Sequence, residues 1–194
     1  MDLKNNYYIL RHGKTAYQKN KTHLTYPKDP IDSVPLASEG KSQVKRRSQE
    51  IKGFDIDKIY ASDFLRTKQT AEIVKKNIEF SEEIKFDKRL RDLDLGVWHD
   101  RKKKEFYDKF PINKDFFNTK PKEGESWTDV LNRMIDALKD IDKNNRQANI
   151  LIISHGDPLW LLEGRIKNKS KEELIKEKKS KEGFIKTGEL RKII

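Results

Sequence analysis

Residues 149–154, Asn-Ile-Leu-Ile-Ile-Ser, are a nearly unbroken apolar run of strand length that ends at His155-Gly156. A run without polar alternation suits a strand covered on both faces, as in the middle of a parallel sheet. Residues 7–10, Tyr-Tyr-Ile-Leu, end in a matching way, at Arg11-His12-Gly13. Two apolar strands that each close on a polar residue, a histidine and a glycine argue for an α/β chain, because parallel neighbours need helical crossovers between them.

The segments in between read accordingly. Ser38 stands ahead of a weakly amphipathic helix in which Val44 and Ile51 lie two turns apart and Gly53 marks the end. "DKIYAS" (57–62) reads as a second strand running into the helix "DFLRTKQTAEIVKKN", with Asp63 suited to its cap or first turn. "EIKFD" (83–87) is a shorter extended piece, and "GELRKII" (188–194) a final strand. Residues 126–142 carry Trp127, Val130, Leu131, Met134, Leu138 and Ile141 at spacings of three and four, a helix with a core-facing stripe. Residues 18–35, with Pro27, Pro30 and Pro35, read as a loop, and residues 90–124 as an irregular, aromatic-rich segment. The expected architecture is a three-layer doubly wound, mostly parallel sheet with helices on both faces, one domain over residues 1–194, in which about 90–124 is either a flap over the site or satellite core packing.

Composition narrows the chemistry. The 194 residues contain no cysteine, which rules out disulfides, thiolate metal sites and a cysteine nucleophile. No run approaches the roughly 20 apolar residues of a membrane span, and "MDLKNN" has no apolar signal core, so a soluble, cytoplasmic protein with no membrane partner is expected. The net charge is +11, from 43 Lys plus Arg against 32 Asp plus Glu. Most lysines are interspersed with acids, as in "KSKEELIKEKKSKEG", the pattern of a solvated surface rather than a nucleic-acid footprint. A positive field also favours anionic small substrates.

In a parallel sheet the ligand crevice lies outside the carboxyl ends of the strands, so His12 and His155 should arrive at one edge, each with a glycine behind it to turn the backbone. Arg11 is already there, and Arg66 follows the strand "KIYAS" by about one helical turn. Either histidine alone could be a strand cap; two in matched contexts beside two guanidiniums suit a tetrahedral dianion held by forked donors and helix N-termini. His23 and His99 have no comparable context and read as surface or loop residues.

The blocks "LRHGKT", "PLASEGKSQ", "YASDFLRTKQTAEIV", "RLRDLDLGVW", "GES" and "ILIISHGD", in this order over about residues 7–160, resemble the histidine phosphatase superfamily in its phosphoglycerate-mutase-like branch. The resemblance implies a phosphohistidine mechanism without metal or cofactor. His12 would be the nucleophile, and Arg11, Arg66 and His155 would bind the phosphoryl group. Where the family places a glutamate as the acid for the leaving group this chain has Asp92, one methylene shorter, with Asp94 nearby. Where it often places an asparagine on the phosphate this chain has Gln18. Compact members tend to be phosphatases, so the expected substrate is a small phosphomonoester such as a sugar or nucleotide phosphate. The alternatives are a phosphoglycerate-mutase-type transfer and a non-catalytic anion- or RNA-binding module.

Overall fold

The computed structural model describes residues 2–19, 23–28 and 31–194. Its strands are β1 (Asn6–Arg11), β2 (Lys58–Ala61), β3 (Lys85–Phe86), β4 (Asn149–Ser154) and β5 (Leu190–Lys192). They form one sheet in the order β3-β2-β4-β1-β5. The first four run parallel, and β5 closes the edge antiparallel to β1. The apolar run 149–154 occupies the centre, with Ile152 opposite Ile9 on one side and Tyr60 on the other.

Alternation along the strands sends side chains to two cores. Tyr7, Ile9, Ile150 and Ile152 face a cluster with Val130, Met134 and Leu138 of α5 (Trp127–Lys143) and Leu159 and Leu162 of α6 (Gly156–Ile166). Tyr8, Leu10, Leu151 and Ile153 face Val44 and Ile51 of α2 (Ser38–Lys52) and Ala71 and Val74 of α3 (Leu65–Ile78). Helices therefore cover both faces, which makes the three layers expected of this sequence. The remaining helices are the single turn α1 (Ala16–Lys19), α4 (Lys103–Lys109) and α7 (Lys171–Ser180). Among the described residues no helix is long and apolar enough to cross a membrane.

Several local expectations are corrected. Ala37 and Phe64, rather than Ser38 and Asp63, occupy the N-caps of α2 and α3, and neither helix has a side-chain cap. Asp63 instead receives two bonds from Arg91, at 2.7 and 2.6 Å, and so ties the start of α3 to the segment carrying Asp92. Capping boxes start α5 and α7, where Ser126 with Asp129 and Ser170 with Glu173 bond each other's backbone. The Lys/Glu-rich stretch is partly α7, not only solvated surface: Leu174 packs on Gly164, and Glu177 accepts the Trp160 indole N–H at 3.0 Å. The segment 90–124 is not a detached flap, since Phe106, Phe116 and Phe117 are buried in the α5 and α6 core.

Gly13 and Gly156 are not sharp turns, because neither has a positive φ. A Cβ on Gly13 would stand 2.5 Å from the Gly40 carbonyl oxygen, so glycine lets α2 approach the end of β1. At Gly156 it would meet the Arg11 guanidinium at 3.0 Å and Phe184 at 2.9 Å. Both glycines are required by close approach rather than by backbone freedom.

Candidate active site

β1 and β4 are parallel neighbours with Arg11 opposite Ser154, so the residues that follow them are delivered side by side. His12 and His155 meet edge to face, with ring centroids 5.2 Å apart and an interplanar angle of 61°. β2 ends next to β4, and the first turn of α3 swings Arg66 onto the same spot, where its Nε donates to His155 Nδ1 at 3.1 Å. Both imidazoles and Arg66 are buried.

The hydrogen bonds fix the protons. His12 Nδ1 lies 2.8 Å from the Gly13 carbonyl oxygen and must donate to it, which leaves the lone pair on Nε2. His155 Nδ1 accepts from Arg66, so its proton is on Nε2, directed to the Ser62 hydroxyl at 2.9 Å. His155 thus has both nitrogens engaged by protein groups and acts on the site through Arg66 and through its edge on His12. Burial and the Arg66 and Arg11 charges hold His12 well below the usual imidazole range. Burial and the same arginines do this to His155 as well. Both rings are neutral at pH 7, as a nitrogen nucleophile must be.

The two arginines are incompletely satisfied. Arg11 donates from Nη1 to the Ile185 carbonyl at 2.8 Å, and Arg66 donates from Nη2 to Asp92 Oδ2 at 3.0 Å while its guanidinium lies over the Tyr26 ring, 4.4 Å from the centroid. Arg11 Nε and Arg66 Nη1 are buried and have no acceptor among the described residues. Gln18 uses its amide oxygen to accept from the Thr15 N–H at 3.0 Å, so what it can offer a ligand is its amide N–H. Arg11, Gln18 and Arg66 line a cavity of about 490 Å³, together with the first residues of α6.

Asp92 also lines this cavity, with Oδ2 on Arg66 and 3.7 Å from His155 Nδ1. The short side chain therefore reaches the guanidinium directly. Asp94 is occupied elsewhere: its Oδ1 accepts from the Gly96 N–H at 2.8 Å and stands 2.9 Å from His99 Nε2. His99 is consequently part of the cavity wall rather than a surface residue, and its Nδ1 faces the Tyr26 carbonyl at 2.9 Å.

Four participants escape a reading of the sequence. Ser62 holds the His155 tautomer, and Tyr26 stacks on Arg66. Arg133 on α5 donates to the carbonyls of Arg89, Arg91 and Asp92 at 2.7, 2.7 and 2.9 Å, with Glu125 paired to it at 2.7 and 2.8 Å. This clamp sets the backbone that carries Asp92, and Glu125 of "GES" was the only part of it with a signal, as a block of the resemblance.

Comparison with known proteins bears on this constellation. The family model of the histidine phosphatase superfamily (branch 1) matches residues 7–180. "Probable phosphoglycerate mutase GpmB" of Erwinia tasmaniensis is 30% identical over 164 residues, covering 80% of this chain and 71% of that protein. The YhfR structure from Bacillus stearothermophilus superposes with a TM-score of 0.74 at 27% identity, over 88% of this chain and 83% of that one. A mycobacterial glucosyl-3-phosphoglycerate phosphatase in complex with VO3 has a TM-score of 0.78 at 18% identity, over 95% and 90%, and shares the fold.

Proposed function

The chain belongs to the histidine phosphatase superfamily, and on that premise we propose that it hydrolyses small phosphomonoesters through a phosphohistidine formed on His12, without a metal or cofactor. The observation that carries this reading is the pair of buried guanidinium donors with no acceptor among the described residues, Arg11 Nε and Arg66 Nη1. An unpaired buried donor costs about 1–3 kcal/mol, and more when charged. Two of them beside a neutral imidazole call for a ligand that brings several anionic oxygens, which a phosphoryl group does.

With the phosphoryl group on Arg11, Arg66 and Gln18, His12 Nε2 attacks phosphorus and the P–O ester bond breaks, its electron pair leaving on the alcohol oxygen. Asp92 gives that oxygen a proton. Asp92 then takes a proton from water as the water oxygen attacks the phosphohistidine; the P–N bond breaks, its pair returns to His12, and inorganic phosphate departs. Such a reaction asks for positioning and charge compensation more than for covalent chemistry. As general acid, Asp92 must carry its proton when the ester bond breaks.

Phosphoryl transfer of the phosphoglycerate-mutase type is a second reading, favoured by the name of the relatives at 30% identity. There an alcohol rather than water would take the group from His12.

The test is turnover of 4-nitrophenyl phosphate at pH 5–6 with chelator present, together with acid-labile, alkali-stable phosphate labelling of the protein. Wild type should show both, and His12→Ala should be at least about 10⁴-fold slower and unlabelled. Equal rates in the two proteins would overturn the proposal and leave a binding module. Passage of the label to phosphoglycerate instead of water would select the mutase.

A further inference from the structure

The cavity extends well beyond the phosphoryl pocket. At about 490 Å³ it lies within the roughly 300–1,000 Å³ that hold drug-sized ligands. Three of the cations along this outer part are held in ion pairs. Arg91 is on Asp63, Arg133 on Glu125, and the Lys178 ammonium on Asp157. A charged alcohol half would have to break one of these partly buried pairs, which is costly. Lys28, Lys88 and Lys103 also line the cavity but are solvent-exposed, where an ion pair is worth little.

The aromatic lining is mostly in use. Tyr26 and Phe64 carry Arg66 on their faces, Phe184 carries Lys178 and Arg11, and Phe106 is buried in the core. Tyr107 differs: it retains 41% of its surface while standing in the cavity wall, and its ring is propped edge-on against Phe106 at 5.2 Å. Burial, with the charges of Asp157 and Asp92, raises its hydroxyl pKa, so the side chain stays uncharged. An uncovered aromatic on a rigid support inside a concave site is a packing surface for another ring.

Resting on the phosphomonoester reading, we infer that the alcohol half of the substrate is uncharged and carries an aromatic ring, and that Tyr107 selects it. The experiment compares 2-phenylethyl phosphate, glycerol 3-phosphate and 3-phosphoglycerate. Binding is measured by calorimetry on His12→Ala, so that it is read without turnover. The phenylethyl ester should bind at least about tenfold more tightly than either of the others. Adding Tyr107→Ala should remove that advantage, Tyr107→Phe should keep it, and inorganic phosphate should bind equally to all. Equal or tighter binding of 3-phosphoglycerate, a Tyr107→Ala loss shared by all three esters, or no binding of any ester would overturn the inference. A ring preference in binding with no hydrolysis by wild type would leave it standing and sink the phosphatase reading instead.

Discussion

His12, Arg66 and His155 come from strand ends and a first helical turn and are buried, with Arg66 the one of the three that lines the cavity, whereas Asp92, His99, Tyr26 and Tyr107 line it from loops and from α4. The first group is positioned by the sheet itself: parallel register puts Arg11 opposite Ser154, and each histidine follows by one residue. The second group is positioned by side chains from elsewhere. Arg133 grips the carbonyls around Asp92, and residues 23–26 pair with 98–103 through the Leu24–Lys102 bridge and the Thr25 hydroxyl on the Trp98 carbonyl. Floor and wall should therefore respond differently to substitution. On the proposed reading, floor residues would handle the phosphoryl group, common to every ester, and wall residues the leaving group, which varies.

The largest contrast is expected at Arg66. Arg66→Ala removes a phosphoryl donor and leaves His155 Nδ1 and Asp92 without their partner, so kcat/KM should fall about 10³-fold. The fall should be the same for alkyl and aryl phosphates, because both present the same phosphoryl oxygens. A loss confined to alkyl esters would assign Arg66 to the wall.

Asp92→Asn should have a smaller and selective effect. An asparagine cannot donate a proton to an alkoxide, so alkyl phosphates should slow by about 10²-fold, toward the lower end of general-acid contributions. 4-Nitrophenyl phosphate, whose leaving group needs no proton, should slow by less than about tenfold. An unchanged ratio between the two esters would move the acid to another group.

The same division explains what could be read before the fold was known. His12 and His155 announce themselves by an apolar run, which is the local cause of their strands, and Arg66 by its place one turn after a third strand. Asp92 carries no such mark: it sits in a turn-rich segment and was located through the resemblance alone. Arg133, Tyr26 and Tyr107 are set by contacts 41, 40 and 1 residues distant in sequence, to Asp92, Arg66 and Phe106, and no periodicity encodes the first two. α6 starts with Pro158 in its first turn, where a proline sacrifices no helical hydrogen bond.

Acid should separate floor from wall most quietly, and with opposite signs. His12 and His155 have folded pKa values depressed well below the unfolded value of about 6.5, so below that pH the unfolded chain binds protons that the folded one refuses. Stability must then fall as pH drops, by at most about 1.4 kcal/mol per pH unit for each ring. Between pH 6.5 and 5 the two together are worth at most about 3 kcal/mol. Carboxylates such as Asp63, Asp87 and Glu189, whose folded values are lowered by arginine partners, lose stability only below about pH 4.5, so this window isolates the histidines. The urea midpoint should decline from pH 7 to pH 5, and His12→Gln should about halve the slope; a flat profile would mean that the floor is solvated. Over the same interval kcat/KM for an alkyl phosphate should hold or rise. His12 stays neutral on the floor throughout this interval.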